Sequence, residues 1–115
     1  MSKQQKKHLY EGMYIISATL SDDARQKALD KILNEITAKG GTIFKIHDQG
    51  RRRLAYEIDG YREGYYYIVY FDVVTPAIAE LWAEYHLNED LIRFVTLRAD
   101  SVVEKIEFKT LEEAQ

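Results

Sequence analysis

The sequence has no cysteine, and only one of its 115 residues is proline. Without thiols the chain can form neither a disulfide framework nor a thiolate metal site. No uncharged apolar run approaches the ~18–20 residues that a membrane-spanning helix needs. The amino terminus, MSKQQKKHLYEG, lacks the apolar core of a secretory signal. These absences favour a cytoplasmic protein.

The charge of the chain is small and unevenly distributed. The net charge is −3, but residues 100–115 alone hold five acidic and two basic residues, so residues 1–99 are neutral. A neutral body can still carry a basic patch, although a pI of about 5.6 gives no support for nucleic-acid binding from bulk charge. A hydrophobic content of 46% is sufficient for one packed domain.

Hydrophobic periodicity predicts six elements in the order strand, helix, strand, strand, helix, strand. The first helix follows Ser21 as N-cap and ends at Gly40–Gly41, and the second opens with Thr75 as N-cap and Pro76. The predicted strands cover 9–18, 42–58 with a bulge at Gly50, 65–74 and 91–98.

This order predicts an α+β fold of the ferredoxin-like split βαβ type, with a four-stranded antiparallel sheet and two helices on one face. In the third strand, alternation places Tyr67 and Phe71 towards the helices and Tyr66 and Tyr70 on the other face, which we expect to be open to solvent or partners. We expect a flexible basic arm at 1–8, the domain at 9–99 and an acidic tail at 100–115.

The sequence offers little from which to build an enzyme. The three histidines, His8, His47 and His86, have no second ligand at metal-binding spacing. There is no nucleophile-elbow motif and no phosphate-binding loop. We therefore expect no catalytic residue, no metal and no cofactor.

The stretch GRRRLAYEI, residues 50–58, stands out because like charges in a row disfavour a strand. Arg51, Arg52 and Arg53 have two interpretations. They protect a sheet edge from pairing with another chain, or they contact phosphates or a protein partner through their guanidinium forks.

The third strand raises the alternative of an RNA-recognition motif, which stacks bases on aromatic side chains of its sheet. The signature of that motif places a basic residue and a small residue where EGYYYIVY has Glu63 and Tyr66. A free-standing single-stranded RNA-binding module is therefore the second interpretation.

GRRRLAYEI also resembles the signature of the bacterial small-subunit ribosomal protein six family, and the resemblance extends to YEGMYII, GYYYIVYFDV and LIRFVTLR, covering roughly residues 8–100. The chain departs from that family at Glu57 and Asp59, where proline and a basic or small residue are frequent. The resemblance implies the ferredoxin-like fold and a non-enzymatic structural role in the small ribosomal subunit.

The resemblance further implies binding to the central domain of small-subunit ribosomal RNA, as a heterodimer with ribosomal protein eighteen. We expect the RNA surface where the start of the first strand meets the end of the fourth. The residues predicted to contact RNA are Lys6, Lys7, His8, Tyr10, Arg93 and Arg98. The residues predicted to contact the partner protein are Arg51, Arg52, Arg53 and Tyr56.

Overall fold

A computed structural model describes residues 6–58 and 60–104 of the chain. Its four strands are β1 (Lys7–Ser17), β2 (Thr42–Ile58), β3 (Tyr61–Val74) and β4 (Leu91–Arg98), and its two helices are α1 (Asp22–Ala38) and α2 (Thr75–His86). The element order is the predicted one. Residues 1–5 of the predicted arm, Asp59 and residues 105–115 of the predicted tail lie outside the described residues.

Helix α1 begins and ends where local chemistry predicts. The Ser21 side chain accepts a hydrogen bond from the Ala24 amide at 3.2 Å, and two aspartates occupy the first turn. Gly40 follows the C-cap with a φ of 83°, a left-handed conformation that suits glycine. The predicted N-cap and helix stop are both confirmed.

Helix α2 begins one residue earlier than predicted. Its N-cap is Val74, which makes no capping hydrogen bond through its side chain, and Thr75 is the first helical residue. The predicted capping role of Thr75 is therefore wrong. Its Oγ1 lies 3.1 Å from the Tyr10 hydroxyl instead, because the tertiary structure brings the start of α2 next to β1.

The strands form one antiparallel sheet in the order β2-β3-β1-β4, which confirms the ferredoxin-like prediction. Both helices pack on the same face, and this helix face holds the main core. The buried residues that form it include Tyr14, Ile16, Ile32, Ile36, Val69, Phe71, Val73, Leu81 and Tyr85. Within the described residues, no helix is long and apolar enough to span a membrane.

Strands β2 and β3 form a hairpin longer than the sequence predicted. The segment Tyr61–Gly64, predicted as turn, is part of β3, and the turn contracts to the region of Gly60, whose φ is 85°. The predicted bulge at Gly50 is confirmed by a register shift between Asp48 and Gly50 and by a φ of 76°.

The sheet face opposite the helices is partly covered by the chain itself, which differs from the expected open face. After β4 the backbone turns back, the Ala99 amide donates to the Leu9 carbonyl, and Val103 reaches His47 on β2. We call residues 99–104 the strap. It covers the sheet face because its backbone groups find hydrogen-bond partners there, which local sequence patterns do not reveal.

Candidate functional site

One cationic cluster lies where the start of β1 meets the end of β4. The two strands are antiparallel neighbours, with Tyr10 opposite Arg98. The Arg98 guanidinium donates to Nδ1 of His8, and the exposed Lys6 and Lys7 precede His8 in the chain. The structure thus brings together four of the six residues predicted to contact RNA, and we call these four the terminal cluster.

The charges of the terminal cluster act on one another. Partial desolvation and the nearby charges of Arg98 and Lys6 lower the pKa of His8 from its ordinary value. Within the described part of the chain, no ion pair to a carboxylate involves any of the four residues. The cluster therefore presents donors and positive charge without an internal counter-ion.

Tyr10, the fifth predicted RNA contact, lies in the core beside the terminal cluster. Its side chain is 6% exposed, its ring stacks on Phe71 with centroids 6.0 Å apart, and its hydroxyl contacts Thr75. A ring covered in this way has no free face for a base. Stacking of a base on Tyr10, one of the two ways in which it could contact RNA, does not fit this burial, because its register places it on the helix face.

Arg93, the sixth predicted RNA contact, lies away from the terminal cluster. It precedes Arg98 by five residues on β4, about 16 Å at roughly 3.3 Å per residue. It is on the sheet face opposite the helices, in register with Ile15, and its Nη1 donates to the Tyr56 hydroxyl at 2.9 Å. The structure therefore joins Arg93 to a residue predicted to contact the partner protein.

The arginine triplet divides between the two faces of the sheet. Arg52 is opposite Gly64, while Arg51 and Arg53 are opposite Tyr65 and Glu63. Because side chains alternate along a strand, Arg52 lies on the face that carries Arg93 and Tyr56, and its neighbours lie on the helix side. Three consecutive arginines thus divide between the two faces of the sheet.

On the helix side, Arg51 is held within the hairpin. Its Nη2 lies 2.5 Å from Glu63, a pairing that raises the pKa of Arg51. The Arg25 guanidinium from α1 lies 4.2 Å from the centre of the Tyr65 ring. These contacts tie the base of the hairpin to α1. Arg53 is exposed, and no ion pair involves it within residues 6–58 and 60–104.

A groove between α2 and β4 was not predicted as a surface. Trp82 lies on α2 and is 42% exposed. Its indole Nε1 donates to Thr96 Oγ1 at 3.2 Å, and its ring meets Phe94 edge-on. Helical periodicity predicts that α2 has an apolar side. It does not show that Trp82 lies over the edge strand β4, where its side chain stays partly exposed.

A second contact system missed by the sequence lies under the strap. The Tyr70 hydroxyl donates to Glu11 Oε2 at 2.5 Å, and His47 Nε2 lies 2.6 Å from the Val103 carbonyl. Burial together with the Glu11 contact raises the pKa of Tyr70 to about 12. The polar end of the chain gave no periodic signal that could have located this contact.

Comparison with known proteins decides the family. A profile described as ribosomal protein S6 matches residues 9–98, nearly the whole described fold. The chain belongs to the ribosomal protein S6 family. It is a protein of the small ribosomal subunit, as the resemblance of GRRRLAYEI implied, and it is not an enzyme. The predicted location in the cytoplasmic ribosome follows from this membership.

Similar proteins of this family include small ribosomal subunit proteins from Protochlamydia amoebophila and Chlamydia caviae. The chain is 71% identical over 112 residues to small ribosomal subunit protein bS6 of Protochlamydia amoebophila, covering 97% of this chain and 98% of that protein. It is 62% identical to the Chlamydia caviae protein of the same name, over 96% and 99% of the two chains.

A solved structure supports the S6 fold directly. The crystal structure of 30S ribosomal protein S6 from Thermotoga maritima matches with a TM-score of 0.77 and 30% identity, covering 82% of this chain and 89% of that one. The C-terminal domain of MgtC from Mycobacterium tuberculosis has a TM-score of 0.59 at 11% identity, over 90% and 100% of the chains, which shows the shared fold alone.

Proposed function

We propose that this S6 protein binds the central domain of small-subunit ribosomal RNA as a heterodimer with ribosomal protein eighteen. Family membership supports a passive structural role in the subunit. The terminal cluster carries the RNA half of the proposal, because Arg98 contacts His8 and the adjoining Lys6 and Lys7 add positive charge at the same end of a body whose net charge is zero.

The RNA contact would be mainly to phosphates. Lysine and arginine neutralise phosphate charge and position a protein on its nucleic acid, whereas base contacts specify sequence. Tyr10, the one aromatic residue among the predicted RNA contacts that carries a phenol ring, is buried and has no free face for a base. We therefore expect the terminal cluster to recognise the shape and charge of an RNA backbone rather than its bases.

The partner contact would use the face that carries Arg52, Tyr56 and Arg93. Tyr56 is 64% exposed and holds Arg93 through its hydroxyl. Arginine and tyrosine are the residue types that most often dominate protein interfaces. Since Arg93 belongs to this group in the structure, we assign it to the partner surface rather than to the terminal cluster.

Sharing the site with a basic partner would compensate for the small number of cations. Each neutralised phosphate steepens the salt dependence of binding by roughly 0.7–0.9 in a log–log plot. The three cations of the terminal cluster, Lys6, Lys7 and Arg98, would give weak binding at physiological salt. The partner would add charge and area, so that the heterodimer binds much more tightly than S6 alone.

The test measures binding to a central-domain RNA fragment with and without ribosomal protein eighteen, across a range of salt concentrations. We expect Lys7→Ala and Arg98→Ala to weaken heterodimer binding to RNA and to reduce the salt slope by about one each. Lys27→Ala, which removes an exposed charge from α1, is the matched control and should change little. Tight binding by S6 alone at physiological salt would contradict the proposal.

The alternative, a free-standing module that stacks bases on its sheet, is disfavoured by the strap. That mode needs exposed aromatic rings on the face opposite the helices. In this structure Tyr70 on that face is 1% exposed, and Tyr66 is only partly exposed. Within residues 6–58 and 60–104, the rings that the third strand places on this face are therefore not free for stacking.

A further inference from the structure

The strap follows one row of side chains across the sheet. Register places Lys45, Tyr70, Glu11 and Leu97 side by side on β2, β3, β1 and β4, all on the face opposite the helices. The strap starts beside Leu9 and ends with Glu104 at 3.3 Å from Lys45 on the far edge strand. It thus spans the sheet from one edge to the other.

Val103 fastens the strap through its backbone. Its carbonyl lies 2.6 Å from His47 Nε2, and its backbone also lies close enough to the Tyr70 hydroxyl to influence the pKa of that group. The rings of His47 and Tyr70 meet edge-on with centroids 5.9 Å apart, and they are 8% and 1% exposed. The rings of His47 and Tyr70, on the sheet face opposite the helices, are therefore buried where the strap crosses that face.

The hidden surface has the composition of a platform for single-stranded nucleic acid. Such platforms combine aromatic rings, on which bases stack, with cations that follow the phosphates. Here His47, Tyr70 and the partly exposed Tyr66 supply rings. Lys45 and Arg93 lie at the two edges of the same face. The Glu104 carboxylate occupies the position next to Lys45 that a phosphate oxygen would take.

We propose that the strap is an autoinhibitory segment that keeps a latent single-stranded RNA site on the sheet face, formed by Lys45, His47, Tyr70 and Tyr66, closed in the free protein. This site is separate from the terminal cluster, since its residues lie on the opposite face from Tyr10 and its neighbour Arg98. The closed strap would prevent the free protein from binding unstructured RNA indiscriminately. The inference does not depend on the proposed ribosomal RNA site.

Two truncations test the proposal with a matched control. One chain ends at Asp100 and lacks the outer part of the strap, and the other ends at Glu104 and keeps the strap. They differ by four residues and one negative charge. Binding to a fluorescent oligouridylate of about ten nucleotides, within the usual site size of such platforms, is measured by anisotropy.

We expect the chain ending at Asp100 to bind the oligonucleotide at least about tenfold more tightly than the chain ending at Glu104, equivalent to about 1.4 kcal/mol. The chain ending at Glu104 should behave like the full chain. Equal affinity of the two truncations, with both folded by circular dichroism, would overturn the proposal.

A third variant separates stacking from a simple change in charge. Adding Tyr70→Leu to the chain ending at Asp100 should abolish the gain, because the ring and not the charge difference carries the binding. If the gain survives Tyr70→Leu, the sheet face is not the site and the proposal is wrong.

A full-length variant covers the case in which the shorter chain does not fold. Val103→Gly with Glu104→Ser weakens the strap while every other residue stays in place. We expect an RNA affinity between those of the two truncated chains. We also expect greater solvent exposure of Tyr70, which ultraviolet titration of its phenol monitors. Greater exposure of Tyr70 without any increase in RNA affinity would refute autoinhibition.

Discussion

The two faces of the sheet are buried by different means. On the helix face, two amphipathic helices cover an apolar core in which Phe71, Val73 and Ile36 are fully buried. On the other face, a six-residue strap and the bent end of a hairpin cover single rows of side chains through hydrogen bonds and ion pairs. The helix face therefore holds the main apolar core, whereas the second face is covered through polar contacts.

The largest expected effect separates a phenylalanine buried under the helices from one exposed at the sheet edge. Phe71→Ala removes a fully buried ring from the core, and we expect a loss of about 3–5 kcal/mol in the free energy of unfolding because a cavity remains. Phe44 is 50% exposed on edge strand β2, so Phe44→Ala should cost less than about 1 kcal/mol. Urea denaturation of both variants measures the free energies of unfolding. Equal losses in the two variants would contradict the prediction.

The next prediction concerns the arginines on the two sides of β2. Arg52→Ala and Arg53→Ala should each weaken association with ribosomal protein eighteen by about 1–3 kcal/mol if they anchor the interface, with little change in folding. Isothermal titration calorimetry gives the affinity and thermal unfolding gives the stability.

The division of the triplet sharpens this test. Arg52 shares its face with Tyr56 and Arg93, so its substitution should have the larger effect on the partner. If the double variant assembles normally but aggregates, the arginines protect the edge of β2 and the interface assignment is wrong.

A smaller effect is expected from a buried hydroxyl pair on the helix face. The hydroxyls of Tyr14 and Tyr85 lie 2.9 Å apart, and burial raises the pKa of both. Tyr14→Phe leaves the Tyr85 hydroxyl without its partner and should cost about 1–2 kcal/mol. Replacing both tyrosines by phenylalanine should recover part of that loss, and a double-mutant cycle in urea detects the recovery.

The smallest predicted effect is a pH dependence between the helices. Burial and the nearby Glu84 raise the pKa of Glu35, so the folded state holds this proton more tightly than the unfolded chain. The sign follows directly: stability contributed by the protonated form is present at low pH and is lost as the pH rises through the raised pKa.

Glu35→Gln should therefore stabilise the protein at neutral pH, by less than about 1 kcal/mol because the side chain is partly solvated. The gain should disappear in acid, below the ordinary range of a glutamate. Glu89→Gln, at an exposed turn, is the control. A stabilisation that is the same at all pH values would contradict the assignment to Glu35.

The sequence was sufficient for most of the fold because the signals involved are local. Ser21, Gly40 and Gly50 each have a conformational or capping role that depends on a few neighbouring residues, and each was placed correctly. Thr75 was misplaced because its hydroxyl has a tertiary partner, Tyr10, which no local pattern contains.

The candidate site was only partly accessible from the sequence. The sequence supplied the cations of the terminal cluster, and antiparallel pairing of β1 with β4 brought Lys7, His8 and Arg98 together as expected. It could not show that Tyr10 turns into the core or that Arg93 meets Tyr56. The first outcome depends on which sheet face the Tyr10 side chain occupies. The second depends on how closely the β2–β3 hairpin brings Tyr56 to β4.

By itself the sequence determined the order of elements, the apolar faces that drive them together and the GRRRLAYEI signature of the family, because periodicity, capping and turn residues act within a few positions. Only the tertiary structure decided that the arginine triplet divides between the two faces and that residues 99–104 cover part of the second sheet face. Both depend on contacts between residues far apart in sequence, such as Val103 with His47, whose hydrogen bond exists only after the sheet has formed.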